Sequence, residues 1–140
     1  MKYTFMIPGN PVPLARARIN PKAFFNNTSC KMWDPQKELK LVTAIHLRNQ
    51  FEGLKPLIGS LHLEATFYMP ISKSKSKKRR EELQGSYHIA RPDLDNMLKW
   101  ICDCANGILY TDDSVVASVF VHKIYDHDPR TEFSLEERER

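Results

Sequence analysis

The sequence predicts an α+β fold in which two main helices pack on one face of a mixed β-sheet of about four strands. The prediction depends on four segments with strand character, two segments with helix signals, and the mixed order in which they follow each other. With 140 residues and 41% apolar composition, the chain has the size of one domain with one core. We therefore expect a single domain over residues 1–140.

Four segments have strand character because apolar and polar side chains alternate, or because β-branched and aromatic residues are concentrated. In the first segment, Tyr3, Phe5 and Ile7 share one face. The third leads through a turn at 126–129 into the fourth, which is expected to return as a hairpin. The predicted strands are residues 2–7, 60–69, 114–125 and 131–135.

The first helix is predicted to begin after Asp34-Pro35, because aspartate is a favoured N-cap and proline suits the first helical position. It is expected to run to about residue 51, with Gly53 ending it. A second helix is predicted over about residues 96–106, closed by Gly107 in a left-handed conformation. The residues expected to face the core from the first helix are Leu41, Val42 and Ile45.

Two long connections carry many of the basic residues. The proline-rich segment 8–13 opens a loop that continues to about Trp33 and contains Arg16 and Arg18. A second basic loop is predicted at about residues 70–91, with a helical turn near residues 78–83. Its basic run consists of Lys73, Lys75, Lys77, Lys78, Arg79 and Arg80. Residues 136–140 are expected to form a frayed tail.

The formal net charge of +4 and the sequence pI of about 9.0 favour an anionic partner. Because the basic residues are clustered, we expect a polyanion such as DNA on one side of the molecule; a mobile, solvated basic segment is the alternative. No apolar run has the length of a membrane span or of a signal sequence, so we expect a cytoplasmic protein with no membrane partner. Cys102 and Cys104 are too close for an ordinary disulfide and are expected to be reduced, packed thiols.

Carboxylates are concentrated on both sides of the second predicted helix. Asp93 and Asp95 are two residues apart, which puts both side chains on one side of an extended segment, and either Asp95 or Asn96 is a candidate helix cap. Lys99 follows Asp95 by one helical turn, and Gly107 returns the chain towards a second acidic pair. That pair is Asp112 and Asp113.

Grouped carboxylates need a countercharge, and Mg²⁺ supplies one because it is a hard ion that prefers oxygen ligands. Such an ion promotes phosphodiester hydrolysis, and a nearby lysine neutralises developing negative charge. Alternatives remain for each pair, because an Asp-x-Asp pair also occurs in turns, in helix caps and in nucleotide-sugar transferases. The Asp112-Asp113 pair is also compatible with a simple turn, and Asp103 with an intrahelical partner for Lys99.

The order of these motifs resembles the signature of the RusA family of Holliday junction resolvases. The resemblance is most specific in Arg91-Pro92-Asp93-Leu94-Asp95-Asn96-Met97-Leu98-Lys99, followed by Asp103 and by Asn106-Gly107-Ile108-Leu109-Tyr110-Thr111-Asp112-Asp113-Ser114-Val115-Val116. The opening Ile7-Pro8-Gly9-Asn10-Pro11-Val12-Pro13 is similar to that of phage-type members. Motif similarity thus extends over most of the chain.

The resemblance implies a homodimeric, Mg²⁺-dependent endonuclease, encoded in bacteria by a phage or prophage, that resolves four-way DNA junctions by paired nicks. Mn²⁺ is expected to substitute for Mg²⁺, and no small-molecule cofactor is expected. The implied catalytic residues are Asp93, Asp95, Lys99 and Asp113. The implied metal ligands are Asp93, Asp95 and Asp113, with Asp112 as a lower-ranked candidate.

DNA contacts are expected from the two basic connections, because phosphate contacts fix a protein on DNA without reading sequence. This sequence departs from the family pattern there, since the 70–91 loop is longer than in compact members and Arg16-Ala17-Arg18 replaces the usual arginine–proline spacing. The expected DNA-binding residues are Arg16, Arg18, Lys73, Lys75, Lys77, Lys78, Arg79, Arg80 and Arg91. A non-catalytic DNA-binding protein and a metal-dependent phosphoryl or glycosyl transferase are the alternative functions.

Overall fold

A four-stranded mixed sheet forms the centre of the protein, as seen in a computed structural model that describes residues 1–15, 18–19 and 32–139. The order of its strands is β1-β6-β4-β5, and only β4 and β5 run parallel. The strands of this sheet are β1 (Lys2–Pro8), β4 (Leu61–Met69), β5 (Val116–Tyr125) and β6 (Arg130–Glu137). A separate pair of two-residue strands, β2 (Arg18–Ile19) and β3 (Met32–Trp33), precedes the first helix.

The connection between β5 and β6 differs from the expected hairpin. Although β6 follows β5 directly, it inserts between β1 and β4 and pairs with both in antiparallel register. The chain crosses the end of β4 on its way, where the backbone N–H of Asp126 donates to the carbonyl of Met69 at 2.9 Å. The central position suits β6, because its side chains Phe133 and Leu135 are buried. A strand with a neighbour on each side also forms backbone hydrogen bonds along both of its edges.

Two longer helices cover one face of the sheet, as predicted, and a third, short helix lies in the basic segment. The helices are α1 (Lys37–Gln50), α2 (Lys77–Leu83) and α3 (Leu94–Ala105). Strand β4 places every second side chain in the core, from Leu61 to Met69, in agreement with the predicted alternation. The helical residues buried against them are Leu47, Met97, Trp100, Ile101, Cys104 and Ala105.

The predicted inward face of α1 is wrong. Leu41, Val42 and Ile45 are exposed, and the side chains that α1 buries are those of Thr43 and Leu47. The reason lies in the position of the helix, which contacts β1 at the edge of the sheet and α3 beside it. Because only a narrow stripe at i and i+4 is covered there, the apolar residues on either side of the stripe stay in solvent.

The start of α1 also differs in detail from the prediction, whereas its end at Gln50 agrees with it. Gln36 occupies the N-cap position, and Asp34 precedes it and accepts a hydrogen bond from the N–H of Gln36 at 2.9 Å. Gly53, with φ of +66°, lies in the turn that follows the helix. At the other end of the chain, β6 includes the first residues of the segment predicted to fray, and the N–H of Arg138 still donates to Ser60. No helix in the described ranges has the length and apolarity required to cross a membrane.

Candidate active site

The first turn of α3 carries Asp93 and Asp95. The helix begins at Leu94, two residues earlier than predicted, so Asp93 is its N-cap residue and Asp95 lies in the first turn. The two carboxylates therefore do not follow the alternation of an extended segment. Both lie at the positive end of the helix dipole, which favours negative charge. Among the described residues, the Asp93 side chain makes no capping hydrogen bond to α3, so its oxygens remain available to a ligand.

Lys99 lies one turn along α3 from Asp95, as its spacing predicts. Its Nζ is 3.9 Å from Oδ2 of Asp95, and the two side chains are 63% and 70% exposed. At this distance and exposure the pair contributes little to stability. The Lys99 ammonium can therefore leave Asp95 and contact a phosphate with little loss in the free energy of unfolding.

The two carboxylates of the second acidic pair have different hydrogen-bond partners. Gly107, with φ of +77°, turns the chain after α3 as predicted, and Tyr110 then enters the core. The Tyr110 hydroxyl lies 3.0 Å from Oδ1 of Asp113 and 3.0 Å from the carbonyl oxygen of Cys102, and it donates to one of them at a time. Asp112 instead accepts a hydrogen bond from the N–H of Ser114 at 3.1 Å, at the start of a 3₁₀ turn over Asp113–Val115.

The environments of these two carboxylates move their pKa values in opposite directions. Partial burial raises the pKa of Asp113, and the negative charges of Asp103 and Asp112 add to this effect, whereas the hydrogen bond from Tyr110 opposes it. Hydrogen bonds from Ser114 lower the pKa of Asp112. Asp113 is therefore the carboxylate held in the less favourable setting for negative charge, which a bound cation would relieve.

Metal-binding geometry is incomplete around these carboxylates. In the described part of the chain, no three His, Cys, Asp or Glu side chains converge on one ion-sized position. The donors fit Mg²⁺ by chemical type, since all are hard oxygen ligands. A metal held by Asp93, Asp95 and Asp113 would require side-chain rotation, because Asp95 faces Lys99 and Asp113 faces Tyr110.

Asp103 has a different partner from the one predicted. It lies 3.5 Å from Nζ of Lys40 on α1, and the same ammonium is 2.8 Å from Asp34. The Lys40 ammonium therefore ties the start of α1 to the last turns of α3. Since Asp103 also raises the pKa of Asp113, this bridge lies on the same side of α3 as the second acidic pair.

An open cleft of about 530 Å³ lies beside the N-terminus of α3. The proline-rich segment forms one wall of the cleft, and the backbone N–H of Leu14 in this segment donates to the carbonyl of Asn96 at 3.0 Å. The cleft is lined by Pro13, Leu14, Arg91, Pro92, Asp93 and Asn96. It brings the predicted DNA-binding residue Arg91 next to the predicted ligand Asp93.

Lys123 on β5 is a residue of this region that the sequence prediction missed. Its Nζ donates to the backbone carbonyls of Ala90 at 2.5 Å and Pro92 at 2.7 Å, directly before Asp93. Its register partner on β4 is Phe67, a core residue, so Lys123 points to the helix-covered face of the sheet. A lysine in a row of apolar strand positions was the sequence signal that could have found it.

The basic run of the 70–91 segment is partly helical. Ser76 caps α2, accepting a hydrogen bond from the N–H of Arg79 at 3.2 Å, and Leu83 anchors the helix in the protein. All the lysines of the run and Arg79 are exposed, whereas Arg80 is half-buried. Arg16 lies outside the described residues, and only the backbone of Arg18 is described.

Comparison with known proteins agrees with the sequence motifs. The family described as Endodeoxyribonuclease RusA matches residues 8–136 of the chain. A Bacillus subtilis (strain 168) protein described as "Uncharacterized protein YqaN" is 30% identical over 138 residues, which cover 95% of this chain and 94% of that protein. The family match begins at the last residue of β1 and includes β4, β5, all three helices and both acidic pairs. This chain is a member of the RusA endodeoxyribonuclease family.

Proposed function

We propose that this protein is a Mg²⁺-dependent endonuclease that cuts four-way DNA junctions by hydrolysing phosphodiester bonds. The observation that carries the proposal is the arrangement at the start of α3, where Asp93, Asp95 and Lys99 lie on adjoining turns next to an open cleft. A surface that only bound phosphate would gain nothing from clustered carboxylates. Their presence in a member of an endonuclease family favours catalysis.

The proposed catalytic residues are Asp93, Asp95, Lys99 and Asp113. The three carboxylates would hold the metal ion, with Asp112 less suited because it already accepts a hydrogen bond from Ser114. A bound Mg²⁺ would supply positive charge that stabilises the scissile phosphate as negative charge develops on it. Mn²⁺, which prefers the same oxygen donors, is expected to substitute.

The chain's own cations would complete the site. Lys99 is exposed and only loosely paired, so it can approach a phosphate oxygen and neutralise charge there. Arg91 lines the cleft next to Asp93, from which its guanidinium can contact a neighbouring phosphate. Because the Asp93 side chain does not cap α3, the N–H groups at the start of the helix remain accessible to the phosphate backbone of the DNA.

DNA would reach the cleft along the basic segment. We assign phosphate contacts to the basic run that begins in the loop before α2 and continues along that helix, together with Arg91 and the N-terminal loop. The residues assigned are Arg16, Arg18, Lys73, Lys75, Lys77, Lys78, Arg79, Arg80 and Arg91. Because such contacts recognise backbone position, they suit selection of DNA by shape.

A homodimer is the assembly that best suits this activity. A four-way junction presents two symmetry-related strands, and a two-fold dimer carries two equivalent sites. Each protomer would then cut one strand. Paired nicks would separate the junction into two duplexes.

The decisive experiment compares wild-type protein, Asp93→Asn and a matched control on a synthetic four-way junction. Asp128→Asn is the control, because it makes the same chemical change in an exposed turn after β5. We expect Mg²⁺-dependent, EDTA-sensitive nicking by the wild type and by Asp128→Asn. Asp93→Asn should bind the junction without cutting it.

Linear duplex, flap and Y-shaped DNA serve as substrates for selectivity. Cutting of all of them at equal rates would reject junction selectivity while leaving nuclease activity in place. Normal cutting by Asp93→Asn would reject the catalytic assignment. Junction binding without cutting by the wild type, with either metal, would support the alternative of a non-catalytic DNA-binding protein.

A further inference from the structure

Lys123 occupies an unusual place for a charged side chain. It lies on β5, on the side of the sheet that the helices cover, and the residue two positions earlier on the same strand, Val121, contacts the core. Across the pairing with β4, its partner Phe67 is 1% exposed. Alternation along β5 would put an apolar side chain here. Lys123 is half-buried, so contacts to the protein replace part of the hydration of its side chain.

The compensation comes from two backbone carbonyls, those of Ala90 and Pro92. Among the residues that the structure describes, no carboxylate lies within salt-bridge distance of the Lys123 ammonium. The neighbouring His88 does not compete for the carbonyls as a second cation, since burial and the charge of Lys123 both lower its pKa. The Lys123 ammonium therefore donates its hydrogen bonds to two peptide carbonyls of one short turn.

These peptide groups flank Arg91 and end directly before Asp93. A carbonyl held in place fixes the orientation of its peptide plane, and the peptide plane of Pro92 includes the N–H of Asp93. Two contacts on alternate residues therefore restrain the turn more strongly than one. The same segment is joined to β5 upstream, where the N–H of His88 donates to the carbonyl of Lys123 at 3.1 Å.

We infer that Lys123 is a positioning residue for the active site: its ammonium clamps the 90–92 turn onto β5 and so fixes where Asp93 and Arg91 stand at the mouth of the cleft. Side chains that hold ligands in place through hydrogen bonds commonly change metal affinity or activity by about 10- to 100-fold when they are removed. The clamp links the sheet to the segment directly before α3.

The test replaces Lys123 with methionine, which keeps the length of the side chain and removes its three donors. The matched control is Lys55→Met, which removes the same charge from an exposed loop. Lys123→Arg retains the charge and several donors. Each variant is first checked by circular dichroism and thermal unfolding, and if Lys123→Met loses its native spectrum, Lys123→Gln replaces it.

Because cleavage is one of the measured properties, the role of Lys123 rests in part on the proposed function. For Lys123→Met we expect the rate of junction cutting at saturating DNA to fall about 10- to 100-fold. The Mn²⁺ concentration that gives half of the maximal cutting rate should rise, while the Kd for the junction stays within about threefold of the wild-type value. Lys123→Arg should recover part of the rate, and Lys55→Met should match the wild type.

A second readout does not depend on catalysis. Backbone ¹⁵N order parameters at Arg91 and Asp93 report how firmly the turn is held, with values of roughly 0.85 for rigid backbone and below about 0.6 for flexible backbone. In Lys123→Met they should decrease towards the flexible range. Unchanged order parameters would overturn the inference, whatever happens to the cutting rate, because Lys123 would then act by charge alone.

The two readouts separate the possible failures. If wild-type protein cuts no DNA, the proposed function fails and the order parameters alone decide the role of Lys123. If the wild type cuts and Lys123→Met cuts equally well with the same metal requirement, the positioning role fails while the proposed function stands.

Discussion

Tyr110 and Asp113 are joined by a hydrogen bond of 3.0 Å between the buried phenol and the carboxylate. The same hydroxyl lies 3.0 Å from the carbonyl oxygen of Cys102 near the end of α3. Burial raises the pKa of Tyr110 far above its ordinary value, so the phenol keeps its proton and remains a donor. A core aromatic thereby orients a carboxylate proposed to bind metal.

Removing this hydroxyl should impair cutting more than folding. For Tyr110→Phe we expect the junction-cutting rate to fall about 10- to 100-fold, with a loss of about 1 kcal/mol in the free energy of unfolding. Tyr68→Phe is the control, because it removes a hydroxyl bonded to Glu132 at 3.4 Å. Single-turnover cutting assays and urea unfolding measure the two effects. Equal cutting rates for the two variants would contradict an orienting role for Tyr110.

The basic helix α2 should determine the salt dependence of DNA binding. Replacing Lys77 and Lys78 together by glutamine should make the slope of log K against log salt less negative by about 1.8, since each phosphate contact contributes about 0.9. The paired control replaces Lys37 and Lys55 by glutamine, which removes the same charge from exposed positions elsewhere. Fluorescence anisotropy at several salt concentrations gives the slopes. The same slope in both double variants would mean that only net charge matters.

Two leucines of α1 test which face of the helix is buried. Leu47 is 0% exposed and Leu41 is 56% exposed, although the sequence favoured Leu41 as a core residue. Leu47→Ala should lower the free energy of unfolding by about 2–5 kcal/mol, because it removes buried apolar volume. Leu41→Ala should change it by about 0.5 kcal/mol or less. Denaturant unfolding compares them, and a larger loss for Leu41→Ala would reverse the assignment of the buried face.

The thiols on α3 should react slowly in the native protein. Burial raises the pKa of Cys104 to about 12, with a smaller contribution from the negative charge of Asp103, and burial also raises the pKa of Cys102. At pH 8 a pKa near 12 leaves about one thiolate in ten thousand, and the thiolate is the reactive form. Timed iodoacetamide labelling with peptide mass spectrometry should show protection of both residues, lost in denaturant. Rapid native labelling of Cys104 would show that α3 opens readily.

Much of the architecture could be predicted from periodicity and turn chemistry. The alternation in β4 and the glycine at Gly107 depend on local sequence, and both predictions are confirmed. The α+β class followed from the order of elements. The place of β6 between β1 and β4 could not be predicted, because strand pairing is decided by contacts between distant segments.

The sequence predicted which residues belong to the candidate site better than it predicted how they are arranged. The spacing of Asp95 and Lys99 placed them on one helical turn, which the distance between them confirms. The start of α3 at Leu94 was missed, because Asp93, Asp95 and Asn96 are all good cap residues and only the packing of α3 on the sheet selects among them. The partners of Lys123 could not be predicted, because they are backbone carbonyls that the tertiary fold brings to it.

The parallel pairing of β4 with β5 also affects the order of events during synthesis of the chain. Residues 70–115, which include the basic helix and Asp93, lie between these strands and leave the ribosome before β5 does. Parallel pairing needs both strands, and closing so long a loop costs chain entropy that only the completed sheet repays. A chain interrupted before β5 would carry the positive charge that attracts DNA, but neither Lys123 nor the strand that restrains the turn before Asp93. We expect such fragments to bind nucleic acid without cutting it.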